Sequence, residues 1–255
     1  MSNVVGQIGT CRLCRKRTTL CESHIIPEFL YKPLYDSKHR FFRVSTGEKP
    51  KRPFEQKGVR ERLLCADCEG QFSAYERYAR GVLYGGEPID ITTNDPRGFE
   101  ARVDYRRFKL FELSLLWRMG VTSVPEFNGV CLGSHERRIH RMLRNETPGK
   151  TDEYGCVLTW PTSHRQILDQ LIMSMGMVKI QKVECCRLIL AGMCWIFFLS
   201  RGAAGSRQES LFLQSAGLMR IMRGDFGLDG YIRSLVADLR HASPGPCTKK
   251  QEAEQ

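Results

Sequence analysis

The sequence predicts an α+β protein with a small cysteine-stapled N-terminal unit, followed by a region of mixed helices and antiparallel strands. Three observations predict it. Two Cys-x-x-Cys pairs, Cys11/Cys14 and Cys65/Cys68, mark the first unit. Amphipathic helical patterns recur at 105–120 and 134–145. Between 167 and 200, short apolar runs follow one another, separated by Gly176 and Gly192, as in an antiparallel meander. The chain has 255 residues and is 42% hydrophobic, enough for one large domain or two modest ones.

Residues 1–80 form the first unit. Within it, 36–62 is polar and basic and holds Gly47, Pro50, Pro53 and Gly58, which predicts a long loop or an irregular hairpin. The second Cys-x-x-Cys opens a helix over 66–80, with Phe72, Tyr75 and Ala79 on one face. Residues 81–104 carry two turn signals, "YGGEP" and "NDPRG", and read as a linker. A second part spans 105–242. The helix over 105–120 puts Phe108, Phe111, Leu115 and Met119 on one face and ends at Gly120. In the next helix, 134–145, Ser134 is the N-cap, Glu136 lies in the first turn, and Ile139, Met142 and Leu143 face inward. "EYGCVLTW" is a strand. The run over 184–199 suits a strand pair, although a helix would also accept it. A final helix covers 230–242, and 243–255 is a disordered tail.

The longest apolar run, Leu188 to Leu199, has twelve residues, against about 20 for a membrane-spanning helix. The first ten residues show no secretory signal, so a cytoplasmic protein with no membrane partner is expected. In a reducing compartment the eleven cysteines are metal ligands or buried thiols rather than disulfides. Cys131, Cys156, Cys185, Cys186 and Cys194 lie among apolar residues and read as core, whereas Cys247 lies in the tail. The net charge is +11, of which residues 1–80 hold +7. Between 37 and 62, nine basic residues face three acidic ones. That surface suits a polyanion, and Arg40, Arg43, Lys49, Lys51 and Arg52 are the expected nucleic-acid contacts. The plainer alternative is a solvated basic loop.

Four thiolates in two Cys-x-x-Cys turns can converge on one tetrahedral ion, and zinc favours that set. Fifty residues separate Cys14 from Cys65, more than in compact zinc motifs, so the insert must be an elaborated loop or contain a hairpin. A rival set, Cys11, Cys14, Cys21 and His24, has compact spacing but leaves Cys65 and Cys68 idle.

"CRLC…CESHIIPEF…LLCADCE" resembles the zinc-stapled branch of the HNH endonuclease family. The resemblance covers residues 11 to about 80. It implies a ββα-metal fold in which a zinc knuckle holds a hairpin against a helix, with His24, in "SHIIP", as the general base of phosphodiester hydrolysis. It also implies a setting in phage defence or a mobile element. The chain departs from the family pattern at three places. Ser23 stands where the family usually has Asp or His, Glu69 where Asn or His commonly follows the second pair, and Arg60 near the family's central Asn. A magnesium or manganese ion takes oxygen ligands, and Glu69, at the start of the 66–80 helix, is the candidate; Glu76, on the same face about two turns on, is a weaker one whose plainer reading is a surface partner of Arg80.

His24 has apolar neighbours in Ile25, Ile26 and Phe29, so a core histidine is its plainer reading. His135 and His140 are five residues apart and do not align on a helix face, and His164 carries no motif. Residues 105–242 show no chemical signature and are left to recognise a target, bind a protein partner or form a homo-oligomer. Two functions are therefore expected to compete. One is a metal-dependent HNH-like endonuclease acting on nucleic acid, DNA in the first place. The other is a non-catalytic zinc-binding module for nucleic acid or protein.

Overall fold

The computed structural model describes residues 7–42, 54–55, 58–161, 172–180, 182–190, 192–200 and 206–224. Chain order begins with β1 (Ile8–Thr10), β2 (Arg17–His24), α1 (Glu28–Tyr31) and a single 3-10 turn at Lys32–Leu34. A short pair follows, β3 (Phe41–Phe42) with β4 (Phe54–Glu55), so the insert between the cysteine pairs does contain a hairpin. Then come β5 (Arg60–Cys65) and α2 (Ala66–Tyr84). β2 lies between β1 and β5 in an antiparallel three-stranded sheet.

α2 starts where the second cysteine pair predicts. Cys65 is its extended N-cap residue, Asp67 and Glu69 place negative charge in the first turn, and Gly85 ends it with φ +85°. Its inward residues, Cys68, Phe72, Tyr75, Ala79 and Val82, recur at helical spacing.

The second part contains β6 (Asp90–Asp95), β7 (Gly98–Arg102), α3 (Tyr105–Val121), a 3-10 turn at Pro125–Phe127, α4 (His135–Arg144) and β8 (Cys156–Trp160). It continues with β9 (Ile172–Ile180), β10 (Val183–Leu190), β11 (Met193–Phe198), the one-turn α5 (Ser206–Glu209) and β12 (Leu218–Arg223). Seven strands form one sheet in the order β6-β7-β12-β8-β11-β10-β9, antiparallel except where β12 runs parallel to β8. The mixed α+β class holds. The segment expected to be a linker instead supplies β6 and β7, because "NDPRG" is a hairpin turn rather than a boundary. Residues 184–199 are strands: Gly192, with φ +76°, turns β10 back along β11. The helix and tail expected beyond residue 230 lie outside the described residues.

α3 departs from a one-sided amphipathic helix. Every residue from Phe108 to Gly120 is buried, since α2 and α4 pack on it and Phe111 meets Trp195 of the sheet edge-on, 6.2 Å between ring centres. Asp104 caps it by accepting from the Arg107 backbone N–H. The helix continues through Gly120, where an added Cβ would stand 2.2 Å from Leu132 Cδ1. Glycine is needed here for close approach, not as a stop. In α4 the expected inward residues are buried, but the Ser134 side chain makes no cap bond. One continuous core joins Cys11, Leu64 and Phe72 of the first unit to Phe111, Trp117 and Trp195. A smaller cluster on the other face of the sheet contains Cys185, Cys194 and Phe212. Among the described residues, no helix is long and apolar enough to cross a membrane.

Candidate functional site

The knuckle Cys11–Cys14 sits between β1 and β2. Arg15, at φ +62°, turns the chain back, and Cys11 N–H bonds Lys16 O over 2.9 Å. β5 carries one extra residue against β2 at Leu63, between the pairs Cys21↔Leu64 and Glu22↔Arg62. That bulge frees the Leu63 carbonyl to accept from the Arg12 backbone N–H, which ties the knuckle to the strand leading into Cys65.

The sulfurs of Cys11, Cys14, Cys65 and Cys68 all lie within 4.8 Å of one another. Cys14 and Cys65 Sγ are 3.7 Å apart. Four sulfurs at about 2.3 Å around one zinc stand about 3.8 Å from each other, so the donor set and its spacing fit a structural zinc site. Cys65 N–H points at Cys11 Sγ over 3.3 Å, the kind of bond that supports a thiolate. Burial opposes ionisation of Cys14, but bonds from the Lys16 backbone and the neighbouring thiols outweigh it and bring the thiol down to about 7. The four close cysteines are a site for a metal ion such as zinc. Cys21 and His24 do not join them, so the rival ligand set is not assembled among the described residues. Of the cysteines expected in the core, Cys156, Cys185, Cys186 and Cys194 are buried, and burial holds their thiols above the usual range. Cys131 is only half-buried.

His24 ends β2, opposite Arg60 on β5, and its side chain is 21% exposed. The Arg60 Nε–H donates to His24 Nε2 over 2.9 Å. An arginine can only donate, so in this contact the ring nitrogen accepts. Glu28, brought round by the Pro27 turn into α1, places Oε2 2.8 Å from the same Nε2, while its Oε1 accepts from the Tyr35 hydroxyl. Burial, and then the Arg60 charge, hold the His24 pKa below its usual value; Glu28 and Glu76 oppose them. The imidazole is therefore neutral at neutral pH.

One residue back along β2, buried Ser23 donates through Oγ to Glu69 Oε2 over 2.6 Å. Two of the three positions at which the chain departs from the HNH pattern are thus in direct contact. Glu76 does not pair with Arg80 at the surface as expected. It reaches Arg118 Nη1 over 2.7 Å, and that same nitrogen donates to the His24 carbonyl over 2.8 Å.

Sequence reasoning missed Glu28, Tyr35 and Arg118. An arginine within the otherwise apolar "LLWRMG" was the available signal for the last. Arg40 is engaged by Asp36, its backbone N–H, Nε and Nη2 all bonding that carboxylate. Arg43, Lys49, Lys51 and Arg52 lie outside the described residues. His140 Nε2 sits 2.7 Å from the Leu13 carbonyl and braces the knuckle, while His135 Nδ1 lies 3.3 Å from the Tyr154 hydroxyl. His39 stacks on Tyr35.

Comparison of the chain with protein-family models, with curated proteins and with solved structures gave no match.

Proposed function

We propose that the chain is a zinc-stapled hydrolase of nucleic-acid phosphodiester bonds, of the HNH endonuclease kind, with DNA as its first expected substrate. The observation that carries this reading is the strand–strand–helix unit of β2, β5 and α2. It ends β2 on a neutral, partly exposed His24, ties the preceding Ser23 to Glu69 of the helix, and secures that helix through the cysteine cluster. A neutral imidazole can take a proton from water at neutral pH. The base is Nε2 of His24. A substrate must first draw Arg60 off that nitrogen, and a phosphate oxygen is a good acceptor for the freed guanidinium. Glu28 Oε2, already 2.8 Å from Nε2, then steadies the charged ring. Glu69, with Ser23 Oγ beside it, offers the oxygen donors that magnesium or manganese takes. When bound, such an ion would supply positive charge at the leaving oxygen.

One observation favours the second reading, a non-catalytic binding module. Arg60 occupies the ring nitrogen that the reaction needs. The deciding experiment is cleavage of plasmid DNA and of RNA by the purified chain with magnesium or manganese, beside His24→Ala at equal zinc content. Cleavage that disappears in the variant supports the hydrolase. No cleavage by either moves the conclusion to the binding module, and equal cleavage by both points to a contaminant or to a different active site.

A further inference from the structure

We propose that Arg118, on α3, is a positioning residue for His24, so that the His24 site is assembled from both parts of the chain. This rests on the reading of His24 as the reactive group.

Arg118 is fully buried, in a helix whose other core positions are mostly apolar. A guanidinium is costly to bury, and a methionine at this place would pack α3 without that cost. Packing alone therefore does not account for the arginine. Its contacts do. The two hydrogens of Nη1 are divided between the His24 carbonyl, at 2.8 Å, and Glu76 Oε1, at 2.7 Å. Nε reaches the Ser114 carbonyl over 3.3 Å, and the guanidinium lies over the Phe72 ring, 5.4 Å from its centre.

These contacts act on the place where β2 runs out. His24 is the last residue of the strand, and the chain then turns through Pro27 into α1. On the far side Ile25 N–H is held by Val59 O over 3.0 Å. Arg118 grips the carbonyl between. The backbone bearing the ring is thus fixed from β5 and from α3 at once, and Glu76 fixes Arg118 from α2. Four charged groups face His24 from the elements around it: Glu28 of α1, Arg60 of β5, Glu76 of α2 and Arg118 of α3. Three belong to the first unit. Arg118 does not, and without α3 the His24 carbonyl loses this donor.

The test uses the full chain, with Arg118→Met and Arg118→Lys beside wild type, each checked for zinc content and helical circular dichroism. In a folded Arg118→Met, kcat on plasmid DNA is expected to fall at least about tenfold with KM within about twofold, since a misplaced reacting group costs turnover rather than binding. Arg118→Lys, whose ammonium has hydrogens for both acceptors but a shorter reach and no planar fork, should recover part of the loss. Independently of turnover, nitrogen NMR of labelled histidine should show one defined ring signal for His24 in wild type and an altered, broadened one in Arg118→Met. A folded Arg118→Met with wild-type kcat and an unchanged His24 signal overturns the proposal. If Arg118→Met does not fold, Arg118→Lys is judged on the same two readouts. If wild type itself does not cleave nucleic acid, the hydrolase reading falls, and the ring signal alone decides whether Arg118 positions His24.

Discussion

Ser23 and Glu69 are joined across the junction of strand and helix, the hydroxyl of one bonding a carboxylate oxygen of the other over 2.6 Å. The serine is fully buried and the glutamate half-buried. Ser23→Ala is expected to lower the unfolding free energy by about 1–2 kcal/mol, toward the low side for bonds to a charged group because Glu69 still meets water. Urea unfolding checks this: the midpoint should fall with the slope unchanged.

The cysteine cluster makes a prediction about metal. The purified chain should carry zinc, and Cys65→Ser should lose it, as read by elemental analysis. Because one core runs from Cys11 to Trp195, chelation should lower the midpoint of a single transition for the whole chain. Two separate transitions in calorimetry would contradict this continuity.

Lys109 and Glu112 form a buried pair on α3, 3.7 Å apart, with Lys109 Nζ also donating to Tyr154 O over 2.7 Å. Burial pushes the Glu112 carboxyl up to about 7 and the Lys109 ammonium down. Lys109→Met removes the cation that opposes this rise, so the folded variant holds its Glu112 proton to still higher pH. The unfolded chain releases that proton near the usual carboxylate value, so the variant should lose stability as pH rises from about 4.5. At high pH the loss should approach about 3–5 kcal/mol, the cost of an uncompensated buried charge. Lys109→Met with Glu112→Leu should recover most of it and remove the pH dependence. Thermal midpoints of both variants across pH decide the matter.

His24 gives the opposite slope. Its folded pKa is lowered by burial and by Arg60, so the unfolded chain takes up the proton first as pH falls. The contribution of the neutral ring is complete above about 6.5 and declines as pH drops from there toward the lower folded value. His24→Gln should lack this decline. Comparing midpoints at about pH 7.5 and 5.5 should show wild type losing more than the variant.

Elements with a strong period were legible from sequence. Phe72, Tyr75 and Ala79 announce α2, and Ile139, Met142 and Leu143 announce α4. β6 was hidden because it is an edge strand: Ile91 is 59% exposed, so no apolar alternation marks it. β12 carries a short alternation, Met219 and Ile221 inward, too brief to stand out before its neighbours in the sheet are known. Of the candidate site, the four cysteines follow from their spacing alone. The charged groups around His24 do not. Arg118 is 94 residues away, and only packing of α3 against α2 brings it there.

β12 lies between β7 and β8, although it follows every other strand among the described residues. While the chain is being synthesised, β7 of the β6–β7 hairpin and β8 of the β8-β11-β10-β9 group must each wait as an open inner edge until residues 218–223 emerge. Such late, distant closure makes folding slow and leaves sticky edges exposed in the meantime. A premature stop just before residue 218 would therefore produce a chain with its cysteine pairs and His24 intact but two unsealed half-sheets, which quality-control proteases would be expected to remove.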